Sequence, residues 1–401
     1  MTSAVLVKLV PDNGGAKVEF SATRPGVRPL TLTIVDTGAI AAARRQLRRG
    51  LTELKDLVPG LDVDDSELTG VLEKMASTGR RMMRTLFGGS PSVVRAQQEF
   101  WRSAIPAWRN ETLPIVVECV GHKDHMLPLE YLPVFDVEGC DRPVSSRADF
   151  YRQCRSFLGF AGVVRRRLMD VSVPANNWLV PGADGRLRLR YLWHEELPGA
   201  HDELRWLNGA GAKRVRVLGP YPTGHETTAD IAEQIFIKQW DIHHERTDQI
   251  QHFSCHCYAG ETVDPDDYEL TLCGHRRELR MTLGDLGDLQ VKYAYLSHYP
   301  PGSMPFVLLN ACGSSTVDPT SSLSFPELFL ANENRGVLGT EVAVRDGLAA
   351  RFSQEFYRAL LLRGATVGDA ARHARTQLLR AHRNPLGLAY VIYGNTELKV
   401  L

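Results

Sequence analysis

The chain has 401 residues, 47 basic against 47 acidic side chains, and a hydrophobic content of 43%. That balance supplies no global field for nucleic acid or a membrane surface, and no run of about 18 apolar residues offers a membrane span. The length exceeds what one core usually supports, so two domains, or one large α/β domain with an added region, is the expectation.

The start, "MTSAVLVKLVPDNGG", turns polar too early for the apolar core of a signal peptide, which points to a cytoplasmic protein. "AVLVKLV" and "RPLTLTIV" read as a small antiparallel pair. Residues 38 to 57 and 66 to 87 read as helices, the second with Asp64, Asp65 and Ser66 as capping candidates. "SPSVVRAQQEFWRSAIPAW" is a further helix stopping before Pro106, "LPIVVECVG" a buried strand, and residues 143 to 172 helical again. "PANNWLVPGADGR" (174 to 186) has linker composition and marks the expected boundary between a region 1–185 and a domain 186–401.

After it, strands alternate with amphipathic helices. "RLRLRYLW", "RVRVLG", "QIQHFSC", "PFVLLNAC", "GVLGTEVAV" and "LAYVIYG" are the strands, and a polar strand-rich excursion, "YELTLCGHRRELRMTL", interrupts them. The helices are "AHDELRWLNGA", "TTADIAEQIFIKQW", "SFPELFLANE", "LAARFSQEFYRALLLRG" and "VGDAARHARTQLLRAH". This is the signature of crossover units on a mostly parallel sheet covered on both faces.

Ligands of such sheets bind beyond the carboxyl ends of the strands. Two strands end in chemically capable residues: "QIQHFSC" runs into His256, and "PFVLLNAC" ends in Cys312 and Gly313. Their separation, 312 − 256 = 56 residues, leaves room for one crossover between neighbouring strands. A thiol needs an imidazole within reach to become a nucleophile, so a His and a Cys on adjacent tips make a plausible dyad. His252 and Cys255 are read as buried packing residues facing away from that site. The seven cysteines, an odd number, fit free thiols better than a disulfide framework. Cys255, Cys257, Cys273 and His275 form C-x-C and C-x-H pairs, but zinc pairs usually enclose two to four residues, so no metal is expected. His243 and His244 read as solvent-facing or helix-terminal rather than as ligands, "GHKDH" (121 to 125) as a polar loop, and "RRQLRRG" as the solvated face of an amphipathic helix rather than a basic patch.

Several motifs carry a resemblance. "LPGAHDEL", "HETTADIAEQI", "QIQHFSCHC", "FVLLNACGS", "GVLGTEVAVRDGLAARFSQEFYRALLLRGATVGDAARHAR" and "YVIYGNTEL" fall in an order similar to a CHAT-type peptidase, the bacterial branch of the caspase-like clan that includes separase and gingipains. Ala-Cys-Gly with a histidine about 50 residues upstream is itself a caspase-type signature. "LPLEYLP" (127 to 133) resembles the Pro-Trp-Glu-Leu element that precedes the core in that family, with Leu129 in place of tryptophan.

The resemblance implies a caspase-like three-layer αβα sandwich over 186–401, with 1–185 a covering or regulatory α/β region, in one form a degenerate caspase-like half. It implies His256 as the catalytic histidine and Cys312 as the nucleophile, with the backbone N–H groups of Cys257 and Cys312 binding the oxyanion. The family usually has glycine after that histidine, where this chain has Cys257. Relatives that cleave after lysine or arginine carry an acid two residues before the nucleophile; here Asn310 stands there, so a basic P1 preference is not implied. "GTEVAV" would pair with an extended substrate, placing Glu341 at a substrate pocket, and Asp264, Asp266 and Asp267 are candidates for its rim. No cofactor is needed. The implied partner is a protein substrate, with a regulatory partner or self-processing alongside, in bacterial antiviral defence or regulated cell death through a gasdermin-like pore former. Two alternatives stay open: a catalytically silent interaction or scaffold module, for which Cys257 is the main argument, and a metal-stabilised interaction domain.

Overall fold

The computed structural model describes residues 4–12, 15–34, 36, 38–106, 108, 116–122, 126–135, 142–172, 176–236, 248–258, 268–294, 304–311 and 324–401. It divides into two compact units, Met1–Asp170 with Ala371–Val391, and Val171–Ala370 with Ile392–Leu401. The change of unit at residue 171 comes before the linker read at 174 to 186, and a late stretch of chain returns to the first unit. Sequence punctuation marks loops, whereas unit membership follows from which side chains are buried together.

The first unit is built on β1 (Ala4–Asp12), β2 (Gly15–Ala22), β3 (Leu30–Ile34), α1 (Gly38–Leu57), α2 (Leu68–Phe87), α3 (Pro91–Ala104), β4 (Val116–Gly121), α4 (Arg147–Cys154), the single turn α5 (Leu158–Ala161) and β5 (Val163–Leu168). Its strand order is β5-β4-β1-β2-β3. β4 runs parallel to β1 and β5, while β1, β2 and β3 form an antiparallel meander. β1 and β3 were expected to pair, but β2 lies between them. Its alternation was available, since Val18 and Phe20 are buried while Glu19 is exposed, and Asn13-Gly14 precedes it as a hairpin signal.

α1 buries Ile40, Ala43, Leu47, Leu51 and Leu54, the three- and four-residue spacing of a helix face. It lies so close to α2 that a Cβ at Gly50 would sit 2.4 Å from the Thr78 side chain. Arg45 and Arg49 of the basic run are exposed, but Arg44 turns inward, its guanidinium donating to the Met126 carbonyl at 2.7 Å and 3.0 Å. α2 is capped by Glu67 without a side-chain cap bond, not by the expected Asp64, Asp65 or Ser66.

Residues 163 to 168 also depart from expectation, being strand rather than helix. In "VVRRRL" the inward position is taken by Arg166, which disguises the alternation. Its guanidinium donates twice to the Glu130 carboxylate, at 3.0 Å and 2.9 Å, with both side chains fully buried. Glu130 belongs to the "LPLEYLP" motif, which here forms a buried one-turn helix over Leu129–Tyr131.

The second unit contains β6 (Trp178–Leu179), β7 (Leu187–Trp193), α6 (Pro198–Asn208), β8 (Val215–Tyr221), α7 (Thr228–Phe236), β9 (Ile250–Tyr258), β10 (Glu269–Gly274), β11 (Arg277–Thr282), α8 (Leu283–Ala294), β12 (Met304–Ala311), α9 (Phe325–Ala331), β13 (Asn334–Thr340) and α10 (Asp346–Tyr357). The chain passes to the first unit within α11 (Val367–His382), returns within β14 (Tyr390–Gly394), and closes with β15 (Lys399–Val400) paired to β6. Strands β8, β7, β9, β12 and β13 lie side by side, all parallel. The β10–β11 hairpin adds antiparallel to the far end of β9.

Every residue of β12 and β13 is buried, as a parallel sheet with two covered faces requires. Alternate residues of β9 show the two covers. His252 meets Tyr357 of α10 and Glu203 of α6, whereas Phe253 packs on Phe329 of α9, itself against Phe236 of α7. The expected three-layer αβα arrangement is therefore present in this unit. α8 was not expected; Gly284 and Gly287 break its apolar pattern in the sequence.

Candidate active site

β9 is the central strand of the second unit, and its tip gathers the candidate residues. It is in register with β12 from Ile250 opposite Phe306 to Cys255 opposite Ala311, where β12 ends. β9 continues for three more residues, pairing His256 with Thr271, Cys257 with Leu270 and Tyr258 with Glu269 of β10. His256 is half-buried there. Its ring lies 4.7 Å from that of His194, edge to face, and 5.6 Å from that of Tyr258. His194 is buried, its backbone N–H donating to the Ser254 carbonyl at 2.8 Å. Its Nδ1 has no hydrogen-bond partner among the described residues. Burial first, and then the neighbouring His256, hold its pKa below the ordinary histidine value. Cys312 lies outside the described residues, as do Asp264, Asp266, Asp267, His243 and His244.

Below the tip, on the α6/α10 face, is a buried polar cluster. Residues 252, 254 and 256 share this face by the two-residue period of a strand. Cys255 faces away from His256 as expected. His252 does not: it is fully buried on the same face, one pleat beneath the site. Its Nδ1 lies 2.8 Å from the Tyr357 hydroxyl, and its Nε2 lies 2.6 Å from Glu203 Oε2. Asn310 donates its amide to Glu203 Oε1 at 2.6 Å and to the Ala349 carbonyl at 3.1 Å. Tyr191 donates to the Ala200 carbonyl at 2.7 Å. Burial, and then the Glu203 charge, push the hydroxyl pKa values of Tyr191 and Tyr357 well above the usual tyrosine range, so both stay protonated. A carboxylate buried this deeply is tolerated because donors surround it. The cluster thereby fastens β9 and β12 to α6 and α10 just before the strands end.

The β13 side is tied as firmly. Thr340 donates its hydroxyl to the carbonyl of Ala311, the last residue of β12, at 2.6 Å. Glu341 follows immediately and is 7% exposed. β13 ends at Thr340, so of the expected edge "GTEVAV" only the first two residues are strand.

Cys257 continues β9 in extended conformation and is buried. Non-glycine residues with positive φ, among those described, are His275, Arg276, Glu333 and Arg383, so a cysteine in the usual glycine position costs no left-handed strain. Cys255 and Cys257 point to the face opposite His256. His275 occupies, with Arg276, the two-residue β10–β11 turn at φ 48° and 62°. The Glu195 carboxylate accepts from both of their backbone N–H groups, which holds its pKa below the usual range. Among the described residues no three His, Cys, Asp or Glu side chains gather as metal ligands.

A model of the CHAT domain matches residues 77–391. The chain belongs to the CHAT domain family. The matched stretch begins in α2 and covers most of both units. A "Probable protease" of Vitiosangium sp. (strain GDMCC 1.1324) is 32% identical over 99 residues, 24% of this chain and 13% of that protein. The CHAT chain thus spans about an eighth of that relative in the matched stretch. Among solved structures it is similar to the Arg-specific cysteine proteinase gingipain R (TM-score 0.45, 11% identity, 82% of this chain and 75% of that one). It is also similar to the Saccharomyces cerevisiae separase–securin complex (TM-score 0.46, 12% identity, 99% of this chain and 30% of that one).

Sequence reasoning missed His194, Glu203, Tyr191 and Tyr357 in this CHAT domain. A signal existed for Glu203: it occupies the same α6 stripe as Ala200 and Leu207, at spacings of three and four residues, where an unpaired carboxylate would be costly.

Proposed function

We propose that this CHAT protein is a cysteine endopeptidase acting through His256 and Cys312. The carrying observation is the register of the two strands. Cys255 and Ala311 are Cα partners on parallel neighbours, and the residues that follow them in the sequence are His256 and Cys312. One peptide unit, about 3.8 Å, separates each candidate from its paired predecessor. That supports a nucleophile and a base drawn from adjacent tips at the carboxyl edge of a parallel sheet, where α/β sites lie.

In this reading His256 takes the Cys312 proton, and the thiolate sulfur attacks the scissile carbonyl carbon. The carbonyl oxygen takes the negative charge and is held by the backbone N–H groups of Cys257 and Cys312. The tetrahedral species collapses as the imidazolium gives its proton to the departing amine, leaving an acyl-thioester. His256 then draws a proton from water, which attacks the thioester and releases the carboxylate product and the thiol. No cofactor enters. Glu341, Asp264 and Asn310 are proposed to tune substrate binding; for Asn310 the action runs through the β12 tip that its amide fastens to Glu203 and Ala349. Residues 1–185 are proposed to cover or regulate the site. Cleavage of a gasdermin-like pore former in antiviral defence or cell death is proposed from the family resemblance alone, and cytoplasmic location from the free-thiol reading of the seven cysteines. No helix of the described residues is long and apolar enough to cross a membrane.

The test is alkylation of the native protein with iodoacetamide, read residue by residue by mass spectrometry. Cys312 is expected to label fastest, and His256→Ala to slow it at least about tenfold by removing the base. Equal labelling in both proteins would favour the silent-module reading. A digest of a peptide library then reads the P1 preference of the active protein.

A further inference from the structure

The first unit carries a cavity of about 520 Å³ between the C-terminal half of α2 and the start of α3. Three arginines of α2, Arg80, Arg81 and Arg84, line one side of it. Met83, Val93 and Val94 give it an aliphatic wall. No acid, imidazole or thiol is among its lining residues, so it has the makings of a binding site rather than of a second reactive centre.

Two features separate this cavity from an ordinary solvated helix face. Arg81 and Arg84 are exposed and form no ion pair with a described carboxylate, so their charge is uncompensated at the cavity mouth. Helix spacing of three and four residues places Arg80 and Arg81 each beside Arg84, which concentrates the positive charge. Independently, Gln97 of α3 lines the floor at 2% exposure, and its Nε2 has no hydrogen-bond partner among the described residues. A buried donor left without an acceptor is costly, and a ligand that supplied one would remove the penalty.

We propose that this cavity binds an organic phosphate of nucleotide size. The guanidiniums would hold the phosphate, whose several oxygens and multiple charge suit forked donors better than a single carboxylate does. The aliphatic wall would take the ligand's apolar or aromatic body, and Gln97 would donate to an acceptor on that body. The volume falls within the range of small-molecule sites. The site stands independently of the reading of His256 and Cys312.

The experiment is titration calorimetry on the full chain with five probes: AMP, 1-naphthyl phosphate, adenosine, inorganic phosphate and an acidic peptide. AMP or 1-naphthyl phosphate is expected to bind with Kd below about 1 mM, weakening as salt is added. Inorganic phosphate and adenosine are each expected to bind at least about tenfold more weakly, since each offers half of the recognised ligand. The double variant Arg81→Ala/Arg84→Ala, at two exposed positions where folding is retained, is expected to lose at least about tenfold toward both organic phosphates. Gln97→Leu should weaken AMP while leaving inorganic phosphate unchanged. The proposal is overturned if neither organic phosphate binds below about 5 mM, or if inorganic phosphate matches them. It is equally overturned if the arginine double variant binds as the parent does, or if an acidic peptide displaces AMP and binds more tightly.

Discussion

Asn310→Leu isolates the role of the cluster beneath the strand tips. The side chain is 5% exposed, and its amide donates to the Glu203 carboxylate at 2.6 Å and to the Ala349 carbonyl at 3.1 Å. Leucine has a similar volume, so little cavity forms and the effect is one of lost polarity. The charge-assisted bond is worth about 2 kcal/mol and the neutral one about 1 kcal/mol, and Glu203 Oε1 loses a donor in a buried site. The expected loss is about 3 kcal/mol in the stability of the second unit. Because the chain has two units, a global midpoint would blend them; amide hydrogen exchange of peptides within β9 and β12 reads the affected unit directly. Exchange there should quicken roughly 100-fold, with peptides of β1 and β2 unchanged. Adding Glu203→Gln supplies the control, since removing the charge should make the second change milder by about 1–2 kcal/mol. A loss under about 1 kcal/mol, or additivity within about 0.5 kcal/mol, would refute the idea that Asn310 and Glu203 hold the tips together.

Three further outcomes follow from the same reasoning. Cys119 is buried and its thiol is pushed up to about 12, and burial also raises Cys273; at pH 8 only about one Cys119 in ten thousand is ionised, so native alkylation should spare both until urea is added. Glu130→Ala strands the Arg166 guanidinium without its carboxylate in a buried site, and urea unfolding should show a loss of about 3–5 kcal/mol, whereas Glu130→Leu with Arg166→Met should recover most of it. His194 has a folded pKa below 6.5, so protonation favours the unfolded chain: its contribution is complete above the unfolded pKa and is lost as pH falls through the window beneath it. The melting temperature should therefore drop less between pH 7 and pH 5 in His194→Phe than in the parent, and an unchanged slope would contradict the assignment.

The sequence by itself determined the strand and helix alternation of the second unit, because parallel strands buried on both faces leave unbroken apolar runs such as "PFVLLNA". It also put His256 directly after the apolar run "QIQHFSC" and Cys312 directly after "PFVLLNA", although β9 carries on through Tyr258, a length that its pairing with β10 decides. It could not show that Cys255 and Ala311 are register partners, because pairing between strands 56 residues apart is set by packing across the sheet rather than by local pattern. Arg166 and Glu203 hid in the same way. A charged side chain reads as solvent-facing until its partner is known, and those partners, Glu130, Asn310 and His252, come from distant segments. The return of 371–391 to the first unit, and the cavity between α2 and α3, likewise follow from which surfaces exclude water together, a property no single segment carries.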